Sequence, residues 1–166
     1  PDCIRALQAN QSILVRNPEA LRPWQHLLEP LHGYMLLAWK QWQDPAFSDA
    51  FNFGPLPSSA VPVKRIVEEV IATWGSGSWH TNRVTAVHEA GRLSLDVSKA
   101  MALLNWSPRY DVTRAVRETV NWYARWHRGE ADARCLCLDQ IHEYERLLSD
   151  QPEDGANVGP EPLVTA

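Results

Sequence analysis

Residues 22–34 read RPWQHLLEPLHGY, and the reading of this stretch decides what fold the chain can have. Helix entrances usually carry small polar caps for the free N–H groups of the first turn. Here an arginine, a tryptophan, a histidine and a glutamate stand at the opening of a long apolar run. Downstream, Leu27, Leu31, Tyr34, Met35, Ala38 and Trp42 recur at helical spacing, which predicts a helix from Trp24 to about Gln43. Leu28, Leu36, Leu37 and Trp39 fall off that stripe, so the helix is too apolar to cover only one surface. Something is gripped at its entrance, and something packs along its length.

Working outward, the chain opens on PDCIRALQA, whose apolar spacing already reads as helix, so the sequence has the look of a piece cut from something longer. S-I-L-V at 12–15 is β-prone, and the loop R-N-P-E-A-L-R-P leads into the helix. A-F-N-F-G at 50–54 reads as a short buried strand ending in glycine, followed by a Pro/Ser loop. From about Val63 to Trp74, Ile66, Val67, Val70 and Ile71 face one way and Lys64, Arg65, Glu68 and Glu69 the other, until the GSGS turn stops the helix. Strand-like segments follow at about Trp79–Val87 and at L-S-L-D, 93–96. A short helix is expected over Ser98–Leu104 with Asp96 as its cap, then one from Val112 to about His127 capped by Asp111, and a last one from about Leu138 to Leu148. Residues 149–166, rich in proline, glycine and acid, read as a disordered tail. The alternation of helix and strand belongs to the α/β class. About four short strands are too few for a sheet covered on both faces, so the helix at 24–43 and the strand at 50–54 would have to join a sheet supplied elsewhere.

Composition narrows the function. The chain has 166 residues, 45% hydrophobic and 22% charged, enough for one domain with one core. Of its 20 acidic residues against 16 basic ones, Asp150, Glu153, Asp154 and Glu161 lie in the tail, which leaves the body formally neutral. Neither a basic stripe nor a Lys/Arg-rich helix favours nucleic acid or an anionic membrane. Cys3, Cys135 and Cys137 are too few for a disulfide scaffold, and a lone C-x-C lacks a second ligand pair for zinc. A reduced, cytoplasmic setting without metal is the expectation. No apolar run reaches the length of a membrane span.

No reaction centre shows itself. Gly75-Ser76-Gly77 lacks a third glycine and follows a helix, so it fails as a dinucleotide phosphate loop, and no tyrosine is followed four residues later by lysine. What stands out is a set of polar residues at junctions. Arg22, ahead of a helix start, has the charge and the fork geometry for a diphosphate, although a surface arginine packed over Trp24 would look the same. Asn52, an amide between Phe51 and Phe53 in a buried strand, must find either backbone or ligand partners. His88 and Glu89 could take a sugar hydroxyl or ribose, or form an ordinary solvated turn. Trp24, Trp39, Trp42, Trp106, Trp122 and Trp126 read as core or domain-contact residues. His26 and Glu29 read as a local pair.

The strings RNPEALRPWQHLLEPLHGYMLLA (16–38), FNFGP (51–55), HEAGRLSLDVSKAMALLNWSPRYD (88–111) and TVNWY (119–123) resemble the CDP-glucose 4,6-dehydratase family of extended short-chain dehydrogenase/reductases, over about residues 1–146. The R-P-W-Q-H-x-L-E-P-L string is specific to that family, whereas L-D-x-S-K-A…L-x-W-x-P is shared by many nucleotide-sugar dehydratases and epimerases. The resemblance implies that residues 1–148 are the nucleotide-sugar-binding C-terminal part of such an enzyme, with 24–54 packing on a Rossmann sheet held by a missing N-terminal half. That half would bind NAD and carry the catalytic Tyr-x-x-x-Lys. The whole enzyme, a cytoplasmic lyase and homodimer, would convert CDP-D-glucose to CDP-4-keto-6-deoxy-D-glucose with loss of water. This chain alone would be inactive, with no catalytic residue of its own. The resemblance makes Arg22 a diphosphate ligand, Trp24 a wall of the crevice, Val15 part of the strand beside the base, Asn52 a nucleotide contact, and His88 and Glu89 part of a segment closing over the ribose and diphosphate. Two alternatives remain open, another NAD-dependent nucleotide-sugar dehydratase or epimerase, and a binding module that kept the fold without the chemistry.

Overall fold

A computed structural model of the chain describes residues 1–82 and 93–150. In chain order it contains α1 (Asp2–Gln8), β1 (Ile13–Leu14), β2 (Leu21–Arg22), α2 (Leu28–Gln43), β3 (Val61–Pro62), α3 (Val63–Trp74), β4 (Trp79–His80), α4 (Ser98–Leu104), α5 (Val112–His127) and α6 (Ala133–Ser149). β1 pairs with β4 in parallel and β2 with β3 antiparallel, in two separate two-stranded ladders. Helix and strand are mixed as the α/β reading expects. The ladders are much smaller than a Rossmann sheet.

Helices α3 and α5 pack together with α1, β1 and β3 around the largest core, built from Ile4, Leu7, Ile13, Val15, Val61, Ile66, Val67, Val70 and Val120. Local signals place α3 where the periodicity predicts it. Pro62 precedes its first turn with extended backbone, and Gly75 ends it at φ 96, a left-handed conformation that glycine adopts without strain. Asp111 caps α5 by accepting the Arg114 N–H at 2.7 Å. Across the α3–α5 seam, Arg117 meets Glu69 at 2.6 Å on the solvent side. A second core joins Phe53, Val97, Ala100, Leu104 and Trp106. A third, smaller one holds Tyr110, Ala115 and Tyr144 where α5 meets α6.

Four expectations need correction. α2 starts at Leu28, not Trp24. A helix from 24 would place Pro30 in its interior, where the ring removes a hydrogen bond and clashes with the preceding turn; starting at Leu28 puts that proline in the first turn, where it is tolerated. Residues 50–54 form no strand. Among the described residues they have no ladder partner, and side chains hold them instead: Gln25 Nε2 donates to the Phe53 carbonyl at 3.0 Å, and Asn52 Nδ2 donates to the Asp96 carbonyl at 3.1 Å. Residues 93–96 are not a strand either: among the described residues they have no ladder partner, while the Asp96 side chain accepts Ser98 N–H at 2.9 Å and Ser98 Oγ–H at 2.6 Å at the start of α4. α6 begins five residues before the expected Leu138, since Asp132 caps it by accepting the Cys135 N–H at 2.9 Å. The remainder of the strand expected to Val87, the pair His88 and Glu89, and the tail beyond Asp150 lie outside the described residues.

The tryptophans divide. Trp106 is fully buried, whereas Trp42 is 90% exposed, and Leu27, Tyr34, Met35 and Trp39 also leave more than half of their surface to solvent. The described part of α2 therefore carries the broad, uncovered apolar face that its sequence implies. No helix among the described residues is long and apolar enough to cross a membrane.

Candidate functional site

The crevice residues expected from the sequence hang from the segment that leads into α2. Arg22 lies in β2 opposite Val61 of β3, and its guanidinium donates to the Leu21 carbonyl at 2.9 Å. Its expected place at a helix entrance is corrected by the same observation. α2 begins six residues later, so Arg22 is a strand residue and not part of the helix entrance. Trp24 packs half-buried against the α1–α3–α5 core, with its Nε1–H buried and without a partner among the described residues. Val15 is buried in that same core, its N–H donating to the His80 carbonyl at 2.8 Å.

Asn52 belongs to a different group. It is exposed rather than buried between its phenylalanines, and its amide is tied to the Asp96 backbone. A short polar network fixes that neighbourhood. Lys99 reaches the Asp49 carboxylate at 2.6 Å and the Ala50 carbonyl at 2.9 Å, and its ammonium stands 4.5 Å from the Phe51 ring centroid. The hydrogen bond from Lys99 is the main reason that the Asp49 carboxyl titrates below the usual carboxylate range, and Ser98 does the same for Asp96. The L-D-V-S-K-A string thus acts as a clamp: Asp96 caps α4 and Lys99 pins the segment that carries Asn52.

The two groups meet through the α2 entrance. Gln25 grips the Phe53 carbonyl. His26 turns Nδ1 to accept the Leu28 N–H at 3.3 Å, so its proton sits on Nε2, and its ring lies edge-on to Tyr110 with centroids 5.4 Å apart. Burial lowers the His26 pKa to about 4, which keeps the imidazole neutral near pH 7. Glu29 is 1% exposed; its N–H donates to the His26 carbonyl at 3.2 Å, but its carboxylate bonds to the loop before α5 and to α6, not to the His26 ring. The local pair is therefore a correction, and Gln25, Glu29 and Lys99 are the residues that sequence reasoning missed. A signal existed for Glu29, a lone carboxylate inside the apolar run L-L-E-P-L.

Two apolar hollows flank this entrance. One, about 410 Å³, lies between α2, α5 and α6 and is lined by His26, Leu31, Trp122 and Ile141 among others. The other, about 350 Å³, lies between α1, α3 and α5 and reaches Trp24 and Gln25. Neither touches Arg22 or Asn52. The glycine pair at 75 and 77 does not form the phosphate loop of a nicotinamide site. It follows α3, and a Cβ on Gly77 would lie 2.5 Å from Leu7 Cδ2, so that glycine serves packing rather than a phosphate cradle.

No family model matches the chain. Comparison with curated proteins finds CDP-glucose 4,6-dehydratase of Salmonella typhimurium, 42% identical over 146 residues, which is 87% of this chain. The chain spans about two fifths of the length of that relative, 40%. The L-D-V-S-K-A string, the R-P-W-Q-H entrance and α2 as far as Ala38 fall in the strings that carried the resemblance, and over that two-fifths share the chain is similar to CDP-glucose 4,6-dehydratase.

Proposed function

We infer that this chain supplies the nucleotide-sugar-binding part of a CDP-glucose 4,6-dehydratase, a lyase that converts CDP-D-glucose to CDP-4-keto-6-deoxy-D-glucose with loss of water. The observation that carries the reading, beside the 42% identity, is the uncovered apolar face of α2, with Leu27, Tyr34, Met35, Trp39 and Trp42 in solvent. Apolar patches of that extent mark interaction surfaces. The missing cover is the Rossmann part of the enzyme, which holds NAD and the proton-transfer residues. The cofactor supplies the redox chemistry there, and this chain's residues bind and orient the sugar nucleotide.

In this reading Arg22, fixed in β2 by the Val61 pairing, supplies positive charge to the diphosphate. Asn52, presented on the surface by the Asp96 bond, contacts the nucleotide. Trp24 walls the crevice, residues 12–15, which contain β1, lie beside the base, and His88 and Glu89 serve the ribose and diphosphate. The complete enzyme acts as a homodimer in the cytoplasm. Arg22→Ala in the complete enzyme tests the assignment by titration with CDP-glucose. The expected loss is about 1.5–3 kcal/mol, the worth of hydrogen bonds to a charged group, and an unchanged affinity contradicts it.

A further inference from the structure

Glu29 is the most deeply buried charged side chain among the described residues, at 1% exposure. Its Oε1 accepts the N–H groups of Arg109 at 2.8 Å and Tyr110 at 2.7 Å, and its Oε2 accepts the Tyr144 hydroxyl at 2.7 Å. A carboxylate so placed is costly unless donors fill its lone pairs, and these three donors do so. They come from the loop at 105–110 and from α6, so one side chain of α2 locks two other elements.

The loop at 105–110 leaves α4 through Asn105 in a left-handed turn, φ 51, and carries Trp106, which is fully buried. Trp106 stands edge-on to Phe53 with centroids 5.1 Å apart. On its other side Phe53 is pressed onto α2, where a Cβ at Gly33 would lie 2.3 Å from its ring. Asn52 is the next residue. The slot between α2 and Trp106 thus seats the Phe53 ring, whose neighbour Asn52 is exposed, and Glu29 holds the loop that bears Trp106, one wall of that slot.

We propose that Glu29 is a positioning residue for the nucleotide-sugar crevice: it touches no substrate, and it holds the loop at 105–110 so that Trp106 and Phe53 present the Asn52 amide. The role rests on the reading of Asn52 as a nucleotide contact. In the complete enzyme, Glu29→Ala raises KM for CDP-glucose about 10-fold and leaves kcat per folded molecule within about 3-fold, whereas Glu29→Gln, which keeps an acceptor for both amides, stays within about 3-fold of the parent KM. A merely unfolded fraction lowers kcat and leaves KM untouched, so an unchanged KM in folded Glu29→Ala overturns the proposal. If that variant does not fold, Tyr144→Phe removes one donor and keeps the ring; a KM raised about 3-fold supports the role and an unchanged KM overturns it.

A second arm needs no activity. In nitrogen-labelled spectra of the chain, Glu29→Ala moves the Asn52 side-chain amide and the Trp106 indole signal while the backbone amides of Ile66 and Val70 stay in place. Changes confined to Arg109, Tyr110 and Tyr144 overturn the proposal. Arg22→Ala in the same kinetic assay separates the two ideas: no effect there, with KM still raised by Glu29→Ala and the Asn52 signal still displaced, sinks the diphosphate role of Arg22 and leaves the positioning role standing, whereas an effect at Arg22 with none at Glu29 overturns the positioning role alone.

Discussion

Helices α3 and α2 are both rich in apolar residues, yet they treat them in opposite ways. α3 turns Ile66, Val67 and Val70 inward against α1 and α5 and keeps its charges at the solvent edge, where Lys64 meets Glu19 and Glu69 meets Arg117 of α5. α2 buries only Glu29 and Gly33 fully and leaves Met35 and Trp42 in solvent at 73% and 90% exposure. The polarity is inverted: on α2 the one deeply buried side chain is a carboxylate, and the exposed ones are large and apolar. A helix that folds for its own domain hides grease and shows charge. One that shows grease and hides a charge is built to meet something else.

That contrast can be broken or sharpened by substitution. The largest effect is expected at Trp106, where replacement by alanine empties the second core and costs about 3–5 kcal/mol in chemical denaturation; a loss under about 1 kcal/mol would show that this core is not sealed. A smaller effect comes from His26. Its folded pKa, lowered by burial to about 4, lies below the ordinary value of 6.5, so the unfolded chain takes up the proton first as pH falls. The stability from the neutral ring is complete above the unfolded value, is lost on descending between the two, and levels off below the folded one. Comparing the parent with His26→Gln at about pH 7 and about pH 4.5 should show the parent losing about 2 kcal/mol more. Equal losses in the two proteins would refute a buried neutral imidazole. The smallest stability change is expected on the open face of α2. Met35→Lys and Trp42→Lys should alter folding stability by no more than about 0.5 kcal/mol, while reducing self-association in sedimentation. A large destabilisation at either position would mean that the face is packed within this chain.

The sequence announced α3 and α5 because their punctuation is local: Pro62 and Gly75 bracket one, and Asp111 caps the other. It announced the apolar excess of α2 as well, since composition alone carries that. The start of α2 was misread because periodicity extends upstream through Trp24 and outweighed the veto of Pro30. F-N-F-G looked like a strand because alternating aromatics suit a pleated surface, but a strand is made by its neighbour, and here Gln25, Trp106 and Gly33 do the holding. The role of Glu29 could not be read from its spacing to His26. Its partners Arg109, Tyr110 and Tyr144 lie 80, 81 and 115 residues away, beyond the reach of any local rule. Arg22 and Asn52 stand out in the sequence as polar residues at junctions; the structure puts the first in a ladder and the second on a surface clamp.

Dehydration of CDP-glucose gives the most direct test, assayed on the purified chain and on a chimera in which the chain replaces the matching 146-residue region of the Salmonella relative. The chain alone should yield no 4-keto product, and the chimera supplied with NAD should yield it. Turnover by the chain alone, or a folded chimera that binds NAD yet makes no product, would contradict the account.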